Sequence, residues 1–163
     1  MDNQTNEAIF AALEQTLDEY GLAYQRQDAG GLEMLKVRLD DLGHAEGTAL
    51  MEICMLPMGQ NPEGSTRKLL QFFTTVAAGL DESNTAPALA ALNQVNLRCP
   101  VGAFHLYTPQ KQMYHKYSLA LDASSGWAAQ AVTAMTAVVE VIDHLFDEVI
   151  IIADDAANWK GPV

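Results

Sequence analysis

The stretch of sequence that decides the fold runs from Ala88 to Leu121 and reads ALAALNQVNLRCPVGAFHLYTPQKQMYHKYSLAL. It begins with apolar residues at helical spacing, and Pro100 ends that helix because a proline disfavours helical backbone at the residue before it. Alternating residues on both sides of a polar turn then predict a β-hairpin. A short helix followed by a hairpin indicates a small α+β domain. The hairpin strands are predicted at Val101–Tyr107 and Gln112–Leu121, with the turn at Thr108–Lys111.

The rest of the chain supplies the other elements of that domain. Helical spacing of apolar residues predicts a first helix over Thr5–Tyr20 and a last, longest helix from about Gly126 into the 150s. The expected fold is one domain over residues 1–163, an antiparallel sheet flanked by helices in the order α-ββββ-α-ββ-α. Between the first and second helices, strands are expected at Leu22–Gln27, Leu35–Leu39, Ala49–Leu56 and Lys68–Ala78, with a polar connection over Pro57–Thr66 and the second helix starting at Thr85.

The charge of the chain limits its partners. Its 163 residues include 21 acidic and 9 basic side chains, which gives a net charge of −12. Such a field repels nucleic acids and anionic membranes, and the basic residues are scattered rather than gathered into a stripe. We therefore expect neither a nucleic-acid partner nor a membrane partner.

Two further features bear on the cellular compartment. The first residues, MDNQTNEAIF, lack the basic and apolar regions of a secretory signal, and charges interrupt the long apolar stretches. Cys54 and Cys99 are the only cysteines, and their positions fit neither a redox motif nor a zinc site. We expect a cytoplasmic protein in a reducing environment.

Two histidines on the hairpin are the first candidates for chemistry. If Tyr107 pairs with Met113, His105 lies opposite His115 on one face, and the two imidazoles could bind a metal together with a carboxylate or Cys99. In the alternative, both histidines simply face solvent, and a register shift of one residue separates them entirely. Because two histidines without fixed further ligands rarely form a metal site, we expect no metal here.

The last helix carries two pairs of side chains four residues apart, Asp143 with Asp147 and His144 with Glu148. Helical metal sites use this spacing, but they take further ligands from a second helix, so we expect a solvated polar face. The sequence also lacks a nucleophile elbow, a phosphate loop and a dinucleotide fingerprint. We therefore expect no catalytic residue and no cofactor.

Asn93 and Asn96 stand near the end of the helix that precedes the hairpin. They could be read as catalytic amides. An asparagine near a helix end more commonly satisfies free backbone carbonyls or ties the helix to its neighbour. We therefore expect both residues to be structural.

The strands predicted at Ala49–Leu56 and Lys68–Ala78 are apolar on both faces, which is more than one layer of helices covers. The second face of the sheet then either packs against another subunit or offers an apolar patch to a partner. Alternatively, a loop or a helix end folds over it. The residues expected on this partner or dimer surface are Met51, Ile53, Met55, Phe72 and Phe73.

The segment LNQVNLRCPVGAFHLYTPQKQMYHKYSLAL resembles the YbjN-like group of proteins, which shares its fold with the class I type III secretion chaperones. In that group a helix ending in Leu-Asn-x-x-Asn leads into a hairpin, and a long C-terminal helix follows. The resemblance covers about the last half of the chain. The matching residues are Leu92, Asn93 and Asn96 for the helix, Phe104 and Tyr114–Leu121 for the hairpin, and Val132–Phe146 for the last helix.

The resemblance implies a function as well as a fold. Secretion chaperones of this shape are small, acidic, cytoplasmic and usually homodimeric, and they have no active site. They hold an extended segment of a partner against exposed apolar patches. The resemblance therefore implies a non-enzymatic homodimer that binds a protein partner of unknown identity. YbjN-like proteins are described as sensory-transduction regulators, so the alternative is a regulatory domain that senses a small ligand or a metal.

Overall fold

Three α-helices and six β-strands make up the part of the chain that a computed structural model describes, residues 2–60, 66–122 and 126–162. Their order, α-ββββ-α-ββ-α, confirms the predicted α+β fold. The helices are α1 (Asp2–Glu19), α2 (Thr85–Asn96) and α3 (Trp127–Asp155), and single 3-10 turns lie at Glu82–Asn84 and Thr108–Gln110. The strands are β1 (Tyr24–Ala29), β2 (Leu32–Leu42), β3 (Gly47–Gln60), β4 (Thr66–Ala78), β5 (Ala103–Tyr107) and β6 (Gln112–Asp122).

The six strands form one antiparallel sheet in the order β1-β2-β3-β4-β6-β5. The two central strands are longer than predicted, because β3 continues through Pro57 to Gln60 and β4 already begins at Thr66. The predicted polar connection is therefore wrong at both of its ends, and its residues 61–65 lie outside the described residues. Pairing between β3 and β4 becomes irregular between Pro57 and Gln60, where the proline offers no N–H to the ladder.

Strand side chains alternate between two faces of the sheet, and the described helices cover one of them. We call the covered side the inner face; on β3 it carries the buried Met51 and Ile53. The opposite side, the open face, carries Leu50 and Glu52 of the same strand. Helix α3 contacts β2, β4 and β6, with α1 and α2 packed against it. The hydrophobic core therefore lies between the helix layer and the inner face.

Helix α3 is the longest, with 29 residues, and its two sides differ in polarity. Val138 and Ile142 are buried, whereas Glu140 and His144 are exposed. This separation fits an amphipathic helix that lies on a sheet. None of the helices in the described ranges, α3 included, combines the length and the apolar character needed to cross a bilayer.

One arginine joins α1 to the sheet. Arg26, on β1, forms ion pairs with Glu7 of α1 and Glu33 of β2, both with an N–O distance of 2.6 Å. Its guanidinium also lies 4.9 Å from the ring centre of the buried Phe10, a cation–π contact. These contacts hold the first half of α1 over the edge strand β1.

The Asn96 side chain ties α2 to the hairpin. Its Oδ1 accepts a hydrogen bond from the backbone N–H of Phe104 at 2.8 Å, and its Nδ2 donates to the Phe104 carbonyl at 2.9 Å. Phe104 lies on β5, an edge strand of the sheet, so the carboxamide satisfies two backbone groups that have no neighbouring strand. Asn93 is exposed on α2 and takes no part in this junction.

We expect Asn96→Leu to lower the free energy of unfolding by about 1–3 kcal/mol, because it leaves the Phe104 N–H and carbonyl without their partners. Asn93→Leu is the matched control on the same helix, and it should change the free energy by no more than about 0.5 kcal/mol. Urea unfolding followed by circular dichroism measures both values. Equal effects of the two substitutions would contradict the role given to Asn96.

Candidate functional site

Four of the five residues predicted to form a partner or dimer surface lie instead in the core. Met51, Ile53, Met55 and Phe72 point to the inner face and are buried beneath the helices, so the prediction is wrong for these four. Phe73 points to the open face. The error has a simple cause: both faces of β3 and β4 are apolar, and alternation alone does not tell which face the helices cover.

A row of stacked aromatic rings crosses the open face. The rings of Phe73 on β4 and Tyr114 on β6 lie 4.5 Å apart, with an angle of 26° between their planes. The His105 ring on β5 stacks on the opposite side of the Tyr114 ring from Phe73, with 5.2 Å between the ring centres of His105 and Tyr114. The strand register produces this row, because His105 is directly opposite Tyr114 and Phe73 is diagonal to it. Three strands thus present one continuous aromatic surface.

Two large exposed apolar side chains lie near this row on the open face. Leu50 pairs with Thr75, the residue opposite Tyr114, and keeps 43% of its surface exposed. Tyr107 follows two residues after His105 and keeps 47% exposed. A shallow depression of about 500 Å³ opens beside Leu50, with Thr75 and Ala77 among its lining residues. The other large exposed apolar side chains include four that lie on or beside the helices, Tyr20, Leu89, Leu97 and Ile151.

The charged groups of the open face mostly neutralise one another. Lys36 and Glu52 form an ion pair at 3.3 Å, and Arg38 contacts Asp40 at 2.8 Å. The Arg38 guanidinium lowers the pKa of Asp40, which also accepts a hydrogen bond from a neighbouring hydroxyl. Lys116 is exposed next to the aromatic row and forms no ion pair with the described residues.

The two hairpin histidines lie on opposite faces of the sheet. The hairpin pairs Leu106 with Met113, His105 with Tyr114 and Phe104 with His115. This register is shifted by one residue from the one that would bring the imidazoles together. His105 therefore belongs to the open face and His115 to the core, so the pair that could have formed a metal site does not exist.

His115 is fully buried and holds the start of the hairpin. Its Nε2 lies 2.8 Å from the carbonyl oxygen of Val101, to which the Cys99 thiol donates at 3.2 Å. Gly102 packs directly over the ring. A Cβ at this position would stand 2.6 Å from two imidazole atoms, so the close contact requires glycine. Burial raises the pKa of the Cys99 thiol, so the sulfur beside His115 is a protonated thiol and not a nucleophilic thiolate. Cys99, Gly102 and His115 therefore form a packing contact at the start of the hairpin.

His115 should make the protein less stable in mild acid. Burial lowers the pKa of His115 below its ordinary value of 6.5. The imidazole of the unfolded chain therefore takes up a proton at a pH where the folded one does not, so the free energy of unfolding falls as the pH drops below 6.5. This loss continues down to the lowered pKa of the folded state, with a slope of at most about 1.4 kcal/mol per pH unit.

We expect His115→Gln to be less stable at neutral pH but to show a flatter dependence between about pH 7 and pH 5. Urea unfolding at several pH values gives the slope. His144→Gln, on the exposed side of α3, is the control and should keep the wild-type slope. A wild-type slope in His115→Gln would rule out the buried imidazole as the cause.

The carboxylates of these pairs on α3 contact backbone and side-chain groups that are distant in the sequence. Asp143 accepts a hydrogen bond from the N–H of Gly43 at 2.8 Å, and Asp147 accepts two more, from the N–H groups of His44 and Ala45 at 2.8 and 3.1 Å. These backbone donors lower the pKa of Asp147. Asp143 is exposed, as the prediction of a solvated face requires, and Asp147 is half-buried; the sequence did not predict that both also bind the turn between β2 and β3.

Glu148 departs from the predicted solvated face. It is buried, and both of its carboxylate oxygens lie within 2.7 Å of the Arg98 guanidinium at the end of α2. This contact ties α2 to α3. Among the described residues, no group of three or more His, Cys, Asp or Glu side chains is arranged to hold a metal ion.

The candidate site is therefore the open face, centred on Phe73, Tyr114 and His105. Sequence reasoning named Phe73 but missed Tyr114 and Leu50. The alternation of Leu50, Glu52 and Cys54 with the core residues of β3 was the available signal, once the covered face is known. No protein-family model matches this chain, and no curated protein matches it significantly.

Proposed function

We propose that this protein is a non-enzymatic binding module that holds a segment of a protein partner on its open face. The observation that carries the proposal is the aromatic row of Phe73, Tyr114 and His105 on a sheet face without a covering helix in the described part of the chain. Aromatic side chains are enriched in protein interfaces because they bury a large area at a small cost in conformational entropy.

The physical character of the face supports an apolar mode of binding. Its charges are largely paired with one another, so removing water from its apolar side chains is the main source of binding free energy. Such binding depends weakly on salt. The resemblance to the YbjN-like group, whose fold is that of partner-holding chaperones, supports the same function. We also propose a cytoplasmic location, which agrees with the two free thiols Cys54 and Cys99.

Two leucines of equal exposure provide a matched test of the binding face. Leu50 on the open face and Leu89 on α2 are both 43% exposed, so replacing either with lysine costs similar burial. We expect Leu50→Lys to weaken capture of the partner by at least about tenfold and Leu89→Lys to leave it unchanged. Capture from a lysate of the source cell, followed by titration of the identified partner, measures the effect.

The same pair of variants is informative when the result is negative. Equal capture by wild type, Leu50→Lys and Leu89→Lys would show that the open face is not the binding surface. Phe72→Lys is unsuitable for this purpose, since Phe72 is buried in the core and the variant would unfold.

We further propose that the protein forms a homodimer, as the resemblance implies. A second copy is an alternative occupant of the open face, whose paired charges limit repulsion between two acidic molecules. We expect light scattering after gel filtration to give a mass near twice the 17.7 kDa of one chain. A monomeric mass for Leu50→Lys would place the dimer contact on the open face, and a monomeric mass for wild type would contradict the homodimer.

A further inference from the structure

The inner face of the sheet carries two buried polar side chains at one position of the ladder between β4 and β6. Thr74 on β4 lies directly opposite His115 on β6, and neither residue has any exposed surface. Directly opposite residues of an antiparallel pair have their Cβ atoms about 4.5–5.5 Å apart, so the two side chains stand next to each other beneath the helices. This pair lies on the other side of the sheet from the open face and is independent of the proposed function.

Each side chain of this pair has one polar atom without a hydrogen bond. Thr74 Oγ1 and His115 Nδ1 are both shielded from solvent, and neither bonds to the other or to any other atom of the described residues. Buried polar side-chain atoms are hydrogen-bonded in the large majority of cases, to protein or to ordered water, because a buried group without a partner loses its hydration and gains nothing in return. Two such atoms at paired positions therefore indicate a shared partner.

The contact made by the other imidazole nitrogen decides which role each atom has. His115 Nε2 lies 2.8 Å from the Val101 carbonyl oxygen, and because a carbonyl oxygen can only accept, Nε2 carries the proton and donates it. Burial lowers the pKa of His115, so the ring is neutral at neutral pH. In a neutral ring with the proton on Nε2, Nδ1 is an acceptor. The Thr74 hydroxyl can donate as well as accept, so the two atoms are complementary.

The nearest side chains on the inner face are apolar. Phe72 precedes Thr74 on this side of β4, Met113 precedes His115 on β6, and both are fully buried. The Phe104 ring on β5 meets the His115 ring edge to face, with 5.0 Å between the ring centres and an angle of 64° between the planes. These three side chains have no N–H or O–H group, so none of them can donate a hydrogen bond to Nδ1.

We propose that Thr74 Oγ1 and His115 Nδ1 hold one water molecule between β4 and β6. The water donates a hydrogen bond to Nδ1 and accepts one from the Thr74 hydroxyl, each with a distance of about 2.7–3.2 Å between the heavy atoms. Water is the smallest molecule that both donates and accepts, which suits a site that buried apolar side chains close off from solvent.

The bound water makes Thr74 a positioning residue for the imidazole. Because the water donates to Nδ1, the ring proton stays on Nε2, where it bonds to the Val101 carbonyl and holds the start of the hairpin. Strand β4 is thereby linked, through one water and one imidazole, to the segment that precedes β5. Internal waters of this kind are part of the structure and are costly to remove.

High-resolution crystal structures of the full chain test the site directly. We expect electron density for one water within hydrogen-bond distance of both Thr74 Oγ1 and His115 Nδ1 in the wild type and in Thr74→Ser, which keeps the hydroxyl. The density should be absent from Thr74→Val, in which a methyl group of similar size takes the place of the hydroxyl. A direct hydrogen bond between Oγ1 and Nδ1, no such water in the wild type, or the same water in Thr74→Val would overturn the proposal.

Nitrogen-15 NMR of the imidazole rings at neutral pH gives an independent measurement in solution. In the wild type, the His115 proton should be on Nε2, and Nδ1 should resonate as an acceptor that receives a hydrogen bond. Thr74→Val should shift the Nδ1 resonance towards that of a nitrogen without a hydrogen bond, while the exposed His144 serves as the control and stays unchanged. A proton on Nδ1 in the wild type, or the same Nδ1 shift in both proteins, would contradict the shared water. The wild-type structure and spectrum are decisive by themselves if Thr74→Val does not fold.

Discussion

The structure depends on a single layer of helices that covers one face of a sheet whose central strands carry apolar side chains on both faces. Burying apolar strand surface is the main gain on folding, and α3 with its two neighbours achieves it on the inner face. The same strands carry Leu50, Leu56 and Phe73 on the other side. The central strands thus carry apolar side chains on both faces, and the described helices cover only one of those faces.

Local patterns were enough to predict the element order. Pro100, the alternation after it and the polar turn at Thr108–Lys111 lie within a few residues of the structure they specify, so the hairpin follows from the sequence. The hairpin register did not follow, because a pairing shifted by one residue satisfies the same alternation. That single step decided whether His105 and His115 face each other.

The choice of the covered face depends on contacts that local patterns do not contain. On β3, Met51 and Ile53 alternate with Leu50 and Cys54, and both sets suit a core. The polar contacts of α3 are equally remote in sequence, since Asp147 binds the N–H of His44, 103 positions earlier. The glycine at position 43 is consistent with the close approach of Asp147 to this turn, since a Cβ there would stand 2.4 Å from the Asp147 carboxylate. Spacing along α3 identified the residues but not their partners.

The contact made by Asn96 also has a consequence for how the sheet ends. The unpaired N–H and carbonyl groups of an edge strand can hydrogen-bond to a strand of another chain, which makes such edges sites of aggregation. The Asn96 carboxamide occupies the hydrogen-bonding groups of Phe104 much as a residue of a neighbouring strand would. The side chain therefore shields β5 from strand addition at that point, on the same hairpin that presents Tyr114 and His105 to the outside. A strand of another chain therefore cannot pair with the backbone of β5 at Phe104.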